Sequence, residues 1–193
     1  MRDIITILGV PIDCITKEES GAITEKLIKE SNKSCKMIFA PNVEFVMMAQ
    51  KDKEFSEILK KSSLSTPDSI GIMIGAKMQH KEFKERIPGQ SYFRQIISLS
   101  NEKGYSIYLL GGKPGIAEET KKNLIKLFPN VNIVGTHHGY FDENEEKEII
   151  KEINELQPNV LFVALGAPYQ EKWIAKHQKE LKVDVATRTR WNI

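Results

Sequence analysis

The chain has 193 residues, 40% of them hydrophobic and 28% charged, with a formal net charge of +2. That length suits one domain with a full hydrophobic core, and the composition excludes global disorder. The charge is too mild to imply nucleic acid as a partner, whereas a weakly basic face suited to phosphates or an anionic membrane surface stays open.

Cys14 and Cys35 have no metal-type spacing and read as packing thiols of a reducing cytoplasm. The N-terminal "MRDIITILGVPID" carries Asp3 early and has too short an apolar stretch for a signal peptide. The longest apolar runs, "VLFVALGAP" and "IGIMIGA", fall well below the roughly 18–20 residues that a membrane span needs.

In chain order, "IITILGV" (4–10) reads as a first strand. Thr16, with Glu19 three residues on, forms a capping box for a helix reaching about Asn32. "KMIFA" (36–40) is strand-like, and after "APN" the period of "VEFVMMAQKDKEFSEILKKS" (43–62) is helical. Segment 64–100 is the least regular part, with a helix expected over 69–79. "YSIYLLGG" (105–112) reads as a buried strand, and "KPGIAEETKKNLIKLF" as a helix with Pro114 near its first turn. Strand "VNIVGT" (131–136), the charged helix "ENEEKEIIKEINEL", strand "NVLFVALG" (159–166), helix "PYQEKWIAKHQKEL" and strand "VDVA" (183–186) complete the series. Strands alternating with helices, nearly continuous in apolar content, predict an α/β fold: one domain over 1–193, a parallel Rossmann-like sheet with helices on both faces.

Ligands of such folds sit at the carboxyl ends of the strands. The loops to search are therefore "APN" (40–42), "TPD" (66–68), "GGKPG" (111–115), "THHGYFD" (136–142) and "LGAPYQEKW" (165–173). "GGKPG" follows a strand and opens a helix, so its amides can hold a phosphate, or its glycines can serve a tight turn; both readings stand. It matches neither G-x-G-x-x-G nor G-x-x-x-x-G-K-[ST], which argues against a nicotinamide enzyme. Gln170 can present an amide to a sugar hydroxyl, although core and cap roles suit its surroundings better. Arg86, in a Pro-Gly turn, suits either solvent or a diphosphate. Adjacent His137 and His138 lack a third ligand at a familiar spacing, and no D-x-D is present, so a metal is not expected. Asp68 is a lone carboxylate after a strand. It can cap the helix over 69–79 or serve as a general base, and its position alone favours the cap.

Together, "APNVEFV" (40–46), "TPDSIGI" (66–72), "RIPGQSYF" (86–93), "YLLGGKPGIAEE" (108–119), "GYF" (139–141) and "VALGAPYQEKWI" (163–174) resemble the WecG/TagA/CpsF family of bacterial glycosyltransferases, in family order. The resemblance implies metal-independent, inverting transfer of N-acetylmannosamine or a related sugar, with no cofactor. The implied donor is a UDP-sugar, and the acceptor is N-acetylglucosamine on a polyprenyl diphosphate. It further implies a cytoplasmic protein held peripherally at the inner face of the membrane, self-associating as a homo-oligomer. Carried over by position, Asp68 is the base and Arg86 the arginine at the diphosphate. Asn42 and Gln170 become substrate-binding residues, joined by Gly111, Gly112, Gly139, Tyr140 and Gly166 in the matching loops. The rival from another class is a non-catalytic nucleotide-sugar-binding or assembly subunit. The chain departs from the family pattern at Ala40 (usually Thr), Ser69 (usually Gly) and Ser91 (usually Asp). After "VDVA" the family continues with a G-V-G-G-x-F-D-like stretch and an appendage. Here "TRTRWNI" stands instead, and the chain reads as a core without that appendage.

Overall fold

The computed structural model describes residues 3–191. The expected first strand is instead a hairpin: β1 (Ile4–Ile7) pairs antiparallel with β2 (Val10–Asp13) as a separate two-stranded sheet. Leu8 and Gly9 between them both take positive φ, 46° and 85°. That is the backbone of a tight two-residue reversal whose twist matches the flanking strands. The unbroken apolar run concealed the turn. Asp13 then ties the hairpin to the main sheet, its Oδ2 accepting the Ser65 N–H at 2.8 Å.

Helix α1 (Lys17–Glu30) starts at the expected capping box, with both reciprocal Thr16–Glu19 bonds present. Strand β3 (Lys36–Phe39) follows. The helix expected over 43–62 is two helices, α2 (Val43–Lys51) and α3 (Lys53–Lys60). They break at Asp52, whose extended backbone ends one helix while its carboxylate accepts the Phe55 N–H that opens the next. The irregular stretch contains the two-residue β4 (Leu64–Ser65), α4 (Ile70–Lys77) and α5 (Gly89–Lys103). The remainder alternates as expected: β5 (Ser106–Gly111), α6 (Ile116–Leu127), β6 (Asn132–His137), α7 (Glu143–Leu156), β7 (Val160–Ala164), α8 (Tyr169–His177) and β8 (Val185–Arg188).

Six strands form one sheet in the order β4-β3-β8-β7-β5-β6, every pairing parallel. Alternation sends Tyr108, Leu110, Leu161 and Val163 into one apolar cluster and Ile107, Leu109, Val160 and Phe162 into the other. Both faces are therefore covered, which is why the strands read as continuous apolar runs.

A polar network closes the amino end of the sheet. Asp184 accepts from Ser31, from Lys33 Nζ at 2.8 Å and from Asn159 Nδ2 at 2.7 Å. Burial pushes its carboxyl upward, but the bonds from Lys33, Ser31 and Asn159 outweigh this and hold it below its ordinary 3.8. A folded-state value that is depressed gives stability present above that ordinary value and lost as pH falls below it. Asp184→Asn is thus expected to cost about 2 kcal/mol near neutral pH and much less in acid. Urea titrations at several pH values check this, and a pH-independent difference would contradict it.

Candidate functional site

The strand order divides the expected loops into two groups. Asn42, Asp68 and Arg188 leave β3, β4 and β8, which are adjacent, and meet in one pocket. The glycine loops leave β5 and β6 on the other side of β7.

The pocket, about 210 Å³, is lined by Asn42, Asp68, Gln90, Arg188, Thr189 and Arg190, with Pro88 and Gly89 at the start of α5. Asn42 caps α2, its side-chain oxygen accepting the Phe45 N–H at 3.0 Å, which leaves its amide N–H groups for a ligand. Asp68 does not cap α4: the N-cap is Ser69, and it makes no side-chain cap bond. The Asp68 Oδ1 instead accepts from the Gly89 N–H at 2.8 Å, the first amide of α5, where the helix dipole favours an anion. Its Oδ2 accepts from Arg188 Nη2, also at 2.8 Å.

Arg188 is the site residue that sequence reasoning missed. Its side chain is only 7% exposed, against 18% for Asp68. Nη2 also donates to the Ala40 carbonyl at 2.6 Å, and the guanidinium carbon lies 4.7 Å from the centre of the Phe45 ring. The signal was present in "TRTR": in an extended segment, positions 188 and 190 point the same way, here toward the pocket.

The remaining candidates are placed differently. Gln170 is buried and structural, its oxygen accepting the Gly166 N–H at 3.1 Å and its amide donating to Glu171 at 2.9 Å. Arg86 is exposed and does not line the pocket, although Pro88 two residues on does. Tyr140 is exposed. Gly111, Gly112 and Gly139 form a backbone lock: Gly112 donates to the Ala164 carbonyl at 3.0 Å, and Gly139 donates to the Gly112 carbonyl at 2.8 Å. A Cβ on Gly139 would lie 3.1 Å from the Gly111 Cα, and one on Gly112 would lie 2.6 Å from Trp191. The Gly112 amide is therefore already used. Of the two readings open for "GGKPG", the turn is the one these contacts support. Gly166, at φ 84°, has open space where a Cβ would stand.

Glu171, unremarked in the sequence beyond its suitability for the helix dipole, is fully buried. Burial pushes its carboxyl up to about 7, offset only in part by the Gln170 amide and the charges of Arg188 and Arg190. A raised folded-state value means that stability is fully present below the ordinary 4.5 and falls as pH rises through about 7. Glu171→Gln is thus expected to be the more stable protein above pH 7, by up to roughly 3 kcal/mol, with the gap closing toward pH 4.5. Denaturation series from pH 4.5 to 8 read this out, and a constant offset would refute it.

Five buried polar atoms at this end of the sheet have no hydrogen-bond partner among the described residues: Thr66 Oγ1, Ser69 Oγ, Glu171 Oε2, Arg188 Nε and Trp191 Nε1. Of these five, only Arg188 belongs to the pocket lining, and Trp191 lies against Gly112.

Residues 5–189 match the glycosyl transferase WecG/TagA/CpsF family. The chain belongs to this family. Among similar proteins is the N-acetylglucosaminyldiphosphoundecaprenol N-acetyl-beta-D-mannosaminyltransferase of Bacillus subtilis (strain 168). It is 29% identical over 142 residues, covering 74% of this chain and 55% of that protein. The enzyme of the same name from Staphylococcus aureus (strain NCTC 8325 / PS 47) is 25% identical over 181 residues, or 94% of this chain and 70% of that one. The chain thus spans 55% of the length of the first of these relatives and 70% of the second. Family membership accords with the all-parallel sheet and with a pocket at the carboxyl ends of its strands. No helix among the described residues is long and apolar enough to cross a membrane.

Proposed function

We propose that this chain is the core of a glycosyltransferase that moves N-acetylmannosamine, or a closely related sugar, from a UDP-sugar to N-acetylglucosamine on a polyprenyl diphosphate. The transfer proceeds with inversion and without a metal, by a protein held peripherally at the inner membrane face. The observation that carries this reading is the placement of Asp68: a carboxylate in an open pocket, anchored at Oδ1 by a helix N-terminus and facing a guanidinium at Oδ2. Each carboxylate oxygen keeps a further lone-pair site for a hydroxyl. An inverting transfer needs one base in reach of the attacking hydroxyl and positive charge beside the leaving group. Asn42, in the same pocket, presents amide hydrogens suited to a sugar oxygen. Gln170 contributes indirectly by fixing the Gly166 loop.

The bond Arg188 makes to Asp68 favours one alternative enough to test beside it: a subunit that binds the nucleotide sugar without turning it over. The experiment is incubation of the chain with UDP-N-acetylmannosamine and a short-chain lipid-diphosphate N-acetylglucosamine, with EDTA present. Mass spectrometry would detect the disaccharide, and the anomeric coupling constant would report its configuration. Disaccharide of inverted configuration is the expected result. UDP-sugar binding without product would favour the binding subunit, and absence of both would defeat the reading.

A further inference from the structure

We propose that Arg188, with Arg190 at the pocket mouth, forms the anion subsite that takes the donor's diphosphate, and that through Arg188 diphosphate binding is coupled to the freedom of Asp68. This rests on the glycosyl-transfer reading above and assigns its leaving-group contact to β8 rather than to Arg86.

A guanidinium as enclosed as Arg188 is costly unless its donors are used. Only Nη2 is committed, to Ala40 and Asp68, while the buried Nε has no partner among the described residues. With Nη2 committed, Nη1 keeps two N–H donors for an oxyanion, and a two-pronged grip becomes open to a ligand that displaces Asp68 from Nη2. Arg190 lines the same pocket and is 62% exposed at its side chain, with Glu44 4.0 Å away and itself 61% exposed. Neither Glu44 nor the buried Glu171 lines the pocket, and Asp68 is the one carboxylate among its lining residues. Two guanidiniums against one carboxylate give the cavity a positive balance suited to a diphosphate.

Asp68 and a diphosphate compete for the same cation. When the diphosphate engages Arg188, the guanidinium's charge is shared, its hold on Asp68 Oδ2 loosens, and the carboxylate accepts a proton from a hydroxyl more readily. In the transfer, the acceptor oxygen bonds to the anomeric carbon as its proton passes to Asp68. The carbon–oxygen bond to the diphosphate breaks, its electron pair going to the diphosphate oxygen held by Arg188. The donor thus readies the base before the acceptor reacts.

Calorimetric titration of inorganic pyrophosphate and of UDP into the full chain tests this, with EDTA at fixed ionic strength. The variants are R188Q, R188K, R86Q, D68N and the D68N/R188Q pair. R188Q is expected to weaken both ligands by about 10-fold or more, and R188K, which keeps the charge but not the fork, to weaken them measurably but less. R86Q should leave both unchanged. D68N should tighten both, and the gain should vanish in the double variant. UDP binding by the wild type that R188Q does not weaken, or that R86Q weakens more, would overturn the subsite while leaving the transferase reading intact. Arg188-dependent pyrophosphate binding with no tighter binding of UDP would keep the subsite and defeat the nucleotide reading. Wild-type protein that binds neither ligand overturns both. Should R188Q fail to fold, R188K and the D68N series carry the comparison.

Discussion

Asp68→Asn is expected to lower turnover on a lipid-diphosphate acceptor by roughly 10²- to 10⁴-fold, the usual contribution of a positioned general base. The substitution is nearly isosteric. An Asn oxygen can still accept the Gly89 N–H now bonded to Oδ1, so the start of α5 keeps its partner. What is lost is the ability to take a proton and the charge opposite Arg188. The loss should therefore fall on the rate of the chemical step, with donor binding no weaker and, by the competition for Arg188, tighter. Single-turnover rates beside thermal melts separate the two effects. A variant that turns over near the wild-type rate would remove Asp68 from the chemistry. One that merely unfolds would show it to be structural.

Gly111→Ala is expected to be the most damaging single methyl on this end of the sheet. Gly111 closes β5 at φ 122°, a backbone region that side-chain-bearing residues rarely adopt. Its Cβ would stand 2.3 Å from the Ala164 carbonyl oxygen and 2.5 Å from its carbon, on the main chain of the neighbouring strand. A flexible side chain could move aside, but a paired strand cannot. Strain and overpacking together are expected to cost about 4 kcal/mol, or roughly an 8–16 °C drop in Tm for a chain of this size. A melt by circular dichroism measures it, and a drop of only about 2 °C would show that β5 and β7 separate easily here. The result also bears on the phosphate-cradle reading of "GGKPG", because a structural glycine shows its effect in stability before it shows it in ligand affinity.

Much of this protein was legible before folding was considered. Short apolar runs located most of the strands and longer amphipathic stretches the helices, and Thr16 and Glu19 marked a helix start that the structure reproduces bond for bond. The expected loops do lie at the carboxyl ends of strands. The errors have local causes: a two-residue reversal at Leu8-Gly9 inside an apolar run, and a break at Asp52 inside a helical period. In both, the backbone conformation of one or two residues overrode a pattern spread over many.

The candidate site divides the same way. Sequence determined its chemical vocabulary, with a lone acid at Asp68, an amide at Asn42 and glycines where the backbone turns. It also determined the parallel sheet, because strands buried on both faces must be apolar throughout. Which of these groups meet was decided only by strand order. Insertion of β8 between β3 and β7 brings Arg188 beside Asp68 across 120 positions of chain, and sets the glycine loops to the far side of β7. No local pattern encodes that adjacency. It follows from packing six strands into one sheet, and with it comes the ion pair that decides how Asp68 can act.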